Sequence, residues 1–329
     1  MNPVAFQVCL IAVILTLVIS SYNLVLHLLY YSRPELQNQA IRIILLIPIF
    51  STGTWLSIVD PDHEFVYDSI LDFWEALVVY SFFMLILTYA GGEHIWYQSS
   101  QVTHPDGLEH PFPFNYIFPP MALDPLFMRN CKRACLQFVL IKPFMVLIEL
   151  GVIEAGWEHT FGWSLFNNLV YNITYSVALY ALALLYMTMH HHPGLVGKRP
   201  IAKFFSVKTV IFFTFYQGFV IALIPNYEEL NINEIAIMVE MLIFSIPINF
   251  FGFNWHEFRT PHLSGNFASW VGRILVNATK ALSPWDLAVS ASLNFQHRYE
   301  EHVLLEEPPE PSMIVQPVAT PIGKTDNQA

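Results

Sequence analysis

One stretch of sequence decides the fold, YDSILDFWEALVVYSFFMLILTYAGGE at residues 67–93. Between Ile70 and Ala90 it is long and apolar enough to cross a bilayer, yet Asp72 and Glu75 lie inside the apolar run. An ionisable side chain at membrane depth is costly unless it faces a partner or water. At a spacing of i, i+3 the two carboxylates share one helix face, which predicts that this face is buried in protein. Hydration of both near the outer headgroups is the alternative.

Composition places the whole chain in the membrane. Of its 329 residues 54% are hydrophobic and 12% are charged, whereas about 25% are charged in soluble domains. The net charge of −11 is concentrated in a run of glutamates near the C-terminus. We therefore expect an integral membrane protein with no nucleic-acid partner.

Windows of about 20 apolar residues indicate an all-α, polytopic bundle of seven transmembrane helices. The predicted spans are near 4–29, 41–59, 68–90, 134–154, 163–188, 203–224 and 232–254. Together they form a transmembrane domain over 1–256, followed by a cytoplasmic amphipathic region at 257–305 and a disordered tail at 306–329. Lys and Arg occur in the odd-numbered connections and after the last span, which predicts an outside N-terminus and a cytoplasmic C-terminus.

Prolines and one amphipathic stripe add local expectations. Pro48, Pro143 and Pro247 lie inside spans and predict kinks. The connection at 94–130 is rich in proline and predicts an extended, irregular segment. After the last span, apolar residues recur at helical spacing, which favours a helix lying on the cytoplasmic leaflet or packed against the inner ends of the bundle. The stripe consists of Phe267, Trp270, Val271, Ile274, Leu275 and Ala278.

Polar residues of several spans fall at one depth. With about 1.5 Å of rise per residue, Glu75, Lys142 and Glu240 lie within about 6 Å of the bilayer midplane. Asn172 and Gln217 lie at a similar depth, and Lys208 lies nearer the cytoplasmic side. Because lipid-facing charges would be costly, we expect these side chains to face one another. The sequence alone fits either a structural ion-pair network or a solute site.

Enzymatic and metal-binding motifs are not evident. The chain has neither G-x-S-x-G nor His-E-x-x-His, and its histidines are not arrayed at zinc-ligand spacing. We expect no catalytic residues, no metal and no cofactor. Cys131 and Cys135, beside basic residues at the inner boundary, are either palmitoylation sites or plain reduced thiols.

Several stretches resemble the organic solute transporter alpha / transmembrane protein 184 family, and the chain looks closer to the transmembrane protein 184 branch. Besides residues 68–93, these are IPIFSTGTWLSIV (47–59), CLQFVLIKP (135–143), YNITYSVALYALALLY (171–186), KFFSVKTVIFFTFYQG (203–218), VEMLIFS (239–245) and WDLAVSASLNF (285–295). The matches to the family pattern include Asp72, Glu75, Tyr80, Lys142, Asn172, Lys208, Gln217 and Glu240.

The resemblance implies seven helices, an outside N-terminus and transport of steroid-like or other amphipathic organic solutes. It also implies a small single-span partner of the beta type, with a homo-oligomer as the other possibility. Our first hypothesis is a facilitative carrier in the plasma membrane or endolysosomal membranes. Its predicted solute path includes Asp72, Glu75, Tyr80, Lys142, Asn172, Lys208, Gln217 and Glu240. The alternative is a seven-helix receptor or membrane-trafficking scaffold without transport activity.

Overall fold

The computed structural model describes residues 3–157, 160–189, 232–259, 266–283 and 285–294, and single residues at 192, 195, 203, 206, 207, 209, 210, 213 and 217. Regular structure in these ranges is helical, apart from an antiparallel bridge between Leu108 and Met121. The helices are α1 (Pro3–Leu29), α2 (Pro34–Ile44), α3 (Leu46–Val59), α4 (Glu64–Tyr89), α5 (Gly92–Thr103), α6 (Pro125–Glu154), α7 (Phe161–Met189), α8 (Ile232–Ile246), α9 (Phe267–Leu282) and α10 (Trp285–Asn294).

Six segments of the described chain are long and apolar enough to cross a membrane. They are Pro3–Leu29, Pro34–Val59, Pro61–Tyr89, Pro125–Glu154, Phe161–Met189 and Ile232–Phe258. Each contains or overlaps one of the predicted spans, so the prediction of an all-helical, multi-pass membrane protein is confirmed. The predicted span at 203–224 lies largely outside the described residues, and the count of seven stays a prediction.

Helix α4, which contains most of the decisive stretch, is central to the bundle. It contacts α2, α3, α6 and α7, and every side chain from Ala76 to Phe83 is buried. A membrane helix that is buried all round must be surrounded by protein rather than lipid. At its end, Gly91 and Gly92 both have a φ of 91°, a left-handed conformation that favours glycine. This turn directs the chain from α4 into α5.

The connection at 94–130, predicted to be irregular, overlaps α5 and the start of α6, so that prediction is wrong for residues 94–103 and 125–130. The polar sequence of α5, GEHIWYQSSQVT, gives little sign of a buried helix. Trp96 anchors this helix: the indole is 1% exposed, stacks on Phe127 at 5.6 Å and donates from Nε1 to Thr188 Oγ1 at 3.2 Å. Residues 104–124 are irregular, as predicted, apart from the bridge and a short 3-10 turn at Phe114–Tyr116.

Two of the three span prolines coincide with a break in the helix. The α2–α3 break is at Leu45, within one turn before Pro48, which has no N–H to continue the helical ladder. A π-helical segment, Pro247–Gly252, begins at Pro247. Pro143 lies inside the continuous helix α6, so the predicted kink is not accompanied by a helix break there.

The segment after the last span forms two consecutive helices, α9 and α10, of which α9 packs mainly against α1 and α2, and α10 packs against α6. At the C-terminal end of α9, the buried Arg42 side chain donates from Nε to Ala281 O at 3.0 Å and from Nη2 to Ser283 O at 2.6 Å. Carbonyls at a helix C-terminus carry partial negative charge, so the guanidinium stabilises the end of α9. At the C-terminal end of α10, Arg129 Nε donates to Asn294 O at 3.0 Å.

The amphipathic stripe of α9 divides between two environments. Ile274 and Ala278 pack against a cluster formed by Leu28, Ile41 and Ala281. Phe267 and Leu275 remain 78% and 62% exposed. One edge of the helix therefore packs on the bundle and the other is open. Its placement on the cytoplasmic leaflet, and the domain boundary at residue 256, stay predictions, and the predicted tail at 306–329 lies outside the described residues.

Candidate functional site

The ion pair between Lys142 and Asp72 is the centre of the candidate site. Lys142 Nζ of α6 lies 2.9 Å from Asp72 Oδ1 of α4. The lysine side chain is 6% exposed and the aspartate side chain is 40% exposed. The ammonium group also lies 4.2 Å from the centroid of the Tyr171 ring of α7, a cation–π distance. Three helices thus place a buried cation beside an accessible carboxylate.

Further carboxylates surround this pair. Glu75, partly buried and almost one turn along α4 from Asp72, is close enough to interact electrostatically with Lys142 and with Asp72. Glu149 of α6 also interacts with Asp72. Within the described part of this site, acidic groups therefore outnumber the single ammonium. An excess of acid requires protons, water or a bound cation for balance.

Asp68 extends the acidic surface toward the N-terminal end of α4. It interacts electrostatically with Asp72 and with Glu234 of α8, and Ser57 Oγ donates to its Oδ1 at 3.4 Å. Sequence reasoning left Asp68 out of the candidate set. The signal was present, because Asp68, Asp72 and Glu75 follow one another at i, i+4 and i+7 and so form one helical stripe.

Glu240 and Gln217 form a second, separate pair. In the amide orientation that places the Gln217 nitrogen, rather than its oxygen, next to Glu240, this nitrogen donates to Glu240 Oε2 at 2.9 Å. In the described parts of the chain, neither residue is seen in contact with Lys142 or Asp72. The predicted slab is therefore divided: Asp72, Glu75 and Lys142 come together, and Gln217 and Glu240 meet elsewhere.

Three other predicted path residues lie away from the ion pair or outside the described chain. Tyr80 is 1% exposed in the main core of α4. Asn172 is exposed on α7, and its amide donates to Asn168 O of its own helix at 2.7 Å. The expectation that Asn172 faces the other polar groups is corrected by this orientation, which satisfies the amide locally. Lys208 lies outside the described residues.

The two candidate lipidation sites are buried thiols. Cys131 and Cys135 are 4% and 0% exposed, and Cys135 Sγ lies 3.9 Å from Ala178 O of α7. An acyl transferase needs an accessible thiol, so their burial counts against palmitoylation and favours the alternative of reduced thiols. Within the described ranges no group of histidines, cysteines and carboxylates could hold a metal ion.

A sealed ion pair, which sequence reasoning missed, lies near the other end of α4. Lys203 Nζ is 2.8 Å from Glu257 Oε2 and 3.0 Å from Tyr89 Oη, and Tyr89 Oη donates to Glu257 Oε1 at 2.8 Å. The lysine is 3% exposed and the glutamate side chain is 19% exposed. The three groups satisfy one another in a closed ring. Their positions in the sequence are far apart, so no spacing pattern could have shown it.

A neutral polar network joins α1 to the π-helical segment. Asn23 Nδ2 donates to Asn249 Oδ1 at 3.1 Å and to Phe253 O at 2.9 Å, and Asn249 Nδ2 donates to Ser20 Oγ at 3.3 Å. His27 Nε2 lies 3.0 Å from the same Phe253 carbonyl. In lipid, irregular backbone persists where protein groups satisfy it, and this network does so for the Phe253 carbonyl, directly after Pro247–Gly252.

Membrane-crossing helices around a charged, partly accessible ion pair define the class of polytopic membrane proteins. Residues 5–258 match the family described as organic solute transporter Ostalpha. The chain belongs to this family, and the resemblance found in the sequence, including that to the transmembrane protein 184 branch, is confirmed.

Two relatives are vacuole membrane proteins of yeasts. Vacuole membrane protein hfl11 of Schizosaccharomyces pombe is 29% identical over 271 residues, which cover 77% of this chain and 62% of the relative. Vacuole membrane protein HFL1 of Saccharomyces cerevisiae is 35% identical over 216 residues, which cover 65% of this chain and 50% of the relative. The matched regions thus span half to about three fifths of these relatives. No solved structure matches the chain.

Proposed function

We propose that this protein is a facilitative carrier of amphipathic organic solutes, including steroid-like anions, and that the solute passes the Lys142 site. The observation that carries the proposal is the asymmetry of the ion pair, with a buried ammonium and a carboxylate that is 40% exposed. A solute anion can replace the Asp72 carboxylate at Lys142 without leaving the ammonium unpaired. Membership of a solute-transporter family supports the same role.

The wider setting follows from the relatives and from the sequence. Because the relatives are named for the vacuole membrane, we place the carrier in endolysosomal membranes rather than the plasma membrane. The chain has no nucleotide-binding motif, so the solute or ion gradient supplies the driving force. A small single-span partner of the beta type or a second copy of the chain completes the transporting unit.

Uptake of a radiolabelled steroid sulfate into proteoliposomes tests the proposal, with and without a candidate single-span partner. We expect Lys142→Met to reduce the initial rate by at least about tenfold, because a charge-assisted contact of about 1.5–3 kcal/mol is lost. Glu75→Gln should also reduce uptake, because Glu75 is the counter-charge that stays near the buried ammonium while Asp72 and the solute exchange. Lys280→Met, which changes an exposed lysine of α9, is the matched control and should transport normally.

The opposite outcome is equally specific. If folded wild-type protein moves no steroid sulfate or other organic anion under either condition, the carrier assignment fails and the scaffold hypothesis takes its place. Wild-type uptake that Lys142→Met leaves unchanged would overturn the Lys142 path while leaving transport itself intact.

A further inference from the structure

A groove lies between α6 and α10, on a part of the molecule that the proposed solute site does not use. Its volume is about 330 Å³, within the range of about 300–1,000 Å³ found for small-molecule sites. Leu136, Val139 and Leu140 form one wall, and Trp285, Leu287 and Ala288 form the other. Except for Ser283 at one end, the lining residues are apolar.

The groove opens to the surface that faces lipid. Leu140 on one wall and Trp285 on the other are 51% and 73% exposed. Further along α6, the side chains of Phe144 and Leu147 are 62% and 67% exposed, as expected for the outer face of a membrane-spanning helix. The groove is therefore continuous with the lipid-facing surface, and an acyl chain of a neighbouring lipid can enter it directly.

Both walls lead to the same pair of arginines. On α6, Arg133 precedes Leu136 by three residues and Arg129 precedes Arg133 by four, so all three share one helix face. On α10, Asn294 follows the groove residue Ala291 by three, and its carbonyl accepts from Arg129 Nε at 3.0 Å and Arg133 Nη2 at 3.2 Å. One helical turn, about 5.4 Å, thus separates the apolar groove from two guanidinium groups.

An apolar groove that ends at two basic side chains matches a phospholipid, in which apolar acyl chains are joined to a charged phosphate. Guanidinium groups bind phosphate in a planar, bidentate way. Basic groups at the membrane boundary between helices are recognised features of anionic-lipid sites. We propose that the groove between α6 and α10 binds one anionic phospholipid, with an acyl chain along Leu136, Leu140 and Ala288 and the headgroup phosphate at Arg129 and Arg133.

The bound lipid would hold α10 against α6. In the described residues, these two helices meet along the groove and through the arginine contacts to Asn294. An acyl chain fills space that the protein leaves open between the two helices, and such filling adds dispersion contacts on both walls. Helix α10 is thus expected to be more stably docked in a membrane that contains anionic lipid.

The test uses full-length protein, delipidated in mild detergent, and measures binding of phosphatidylserine and phosphatidylcholine with identical acyl chains by native mass spectrometry. We expect wild-type protein to bind phosphatidylserine at least about tenfold more tightly than phosphatidylcholine, because only the former carries net charge. Arg129→Gln with Arg133→Gln should remove this preference and retain phosphatidylcholine binding. Rising salt should weaken the phosphatidylserine preference in the wild type alone.

The apolar half of the site is tested separately. Ala288→Phe fills the groove and should weaken binding of both lipids by about tenfold, whereas Val289→Phe, on the neighbouring position outside the groove, should leave it unchanged. Equal affinity of wild-type protein for the two lipids overturns the proposal, as does unchanged binding by Ala288→Phe. If that variant does not fold, Leu140→Ser, on the opposite wall, provides the same test.

Discussion

Two of the lysine ion pairs in the described interior, Lys203–Glu257 and Lys142–Asp72, have the same chemistry and different surroundings. In the Lys203–Glu257 pair, both side chains are largely covered and Tyr89 closes a ring of hydrogen bonds. In the Lys142–Asp72 pair, the lysine is equally covered, yet the carboxylate is 40% exposed and other acids stand nearby. In the first pair, here called the closed pair, the ammonium, carboxylate and hydroxyl groups bind one another. In the second, here called the open pair, another anion can replace the exposed Asp72 carboxylate at Lys142. The difference indicates that the closed pair stabilises the fold and that the open pair is available for solute.

The largest effect is expected from breaking the closed pair. Glu257→Gln keeps the shape of the side chain but leaves the Lys203 ammonium buried without its counter-charge. Removing one partner of a buried pair costs about 3–5 kcal/mol. We expect a large fall in the thermal unfolding temperature in detergent, measured by tryptophan fluorescence.

Glu154→Gln, at the exposed end of α6, is the control and should unfold like the wild type. If both variants unfold at the same temperature, the Lys203–Glu257 pair is not a stabilising element, and the contrast with the open pair is lost.

A smaller effect on stability, with a distinct effect on transport, is expected at the open pair. Asp72→Asn should destabilise the protein less than Glu257→Gln, because the Asp72 carboxylate is 40% exposed and Glu75 remains near the Lys142 ammonium as a counter-charge. Removing the competing carboxylate should lower the apparent KM for a steroid sulfate several-fold and leave uptake of an uncharged steroid unchanged.

These constants are obtained from initial uptake rates in proteoliposomes at a series of solute concentrations. Asp62→Asn, an exposed residue before α4, should match the wild type for both solutes. A higher KM for the anion in Asp72→Asn would show that Asp72 helps to bind the solute rather than competing with it.

The smallest effect concerns an ion pair that lies outside the membrane-spanning segments. The hydrogen bond with His63, and then that from Tyr67, holds the pKa of the Asp60 carboxyl below its ordinary value. A carboxyl pKa that is lower in the folded state stabilises the protein above the unfolded value of about 3.9, and this contribution is lost as pH falls through the folded value.

The unfolding temperature of Asp60→Asn should therefore lie slightly below that of the wild type at pH 6, and the two should converge as the pH falls below about 4. Asp62→Asn should follow the wild type throughout. A constant difference between Asp60→Asn and the wild type at every pH would show that the carboxylate charge is not the cause.

Some features were predictable because hydropathy is a local property. The length and apolar content of residues 67–93 were sufficient to identify a membrane helix, and its buried acids were sufficient to predict a protein-covered face. The same argument failed for α5, because Trp96 packs against Phe127 and Thr188, residues distant in the chain. It also failed for Asn172. The position of a residue in a span gives its depth in the membrane, but not the side of the helix on which its side chain lies.

The sequence by itself determined that this chain is a helical, multi-pass membrane protein and that charged side chains lie at membrane depth, because both follow from counting residues along a helix. Only the tertiary structure decided which charges meet. It paired Lys142 with Asp72, paired Lys203 with Glu257 and placed Arg42 at the C-terminal end of α9. Pairing depends on how helices are rotated and which are neighbours, and these are settled by packing between segments distant in the chain.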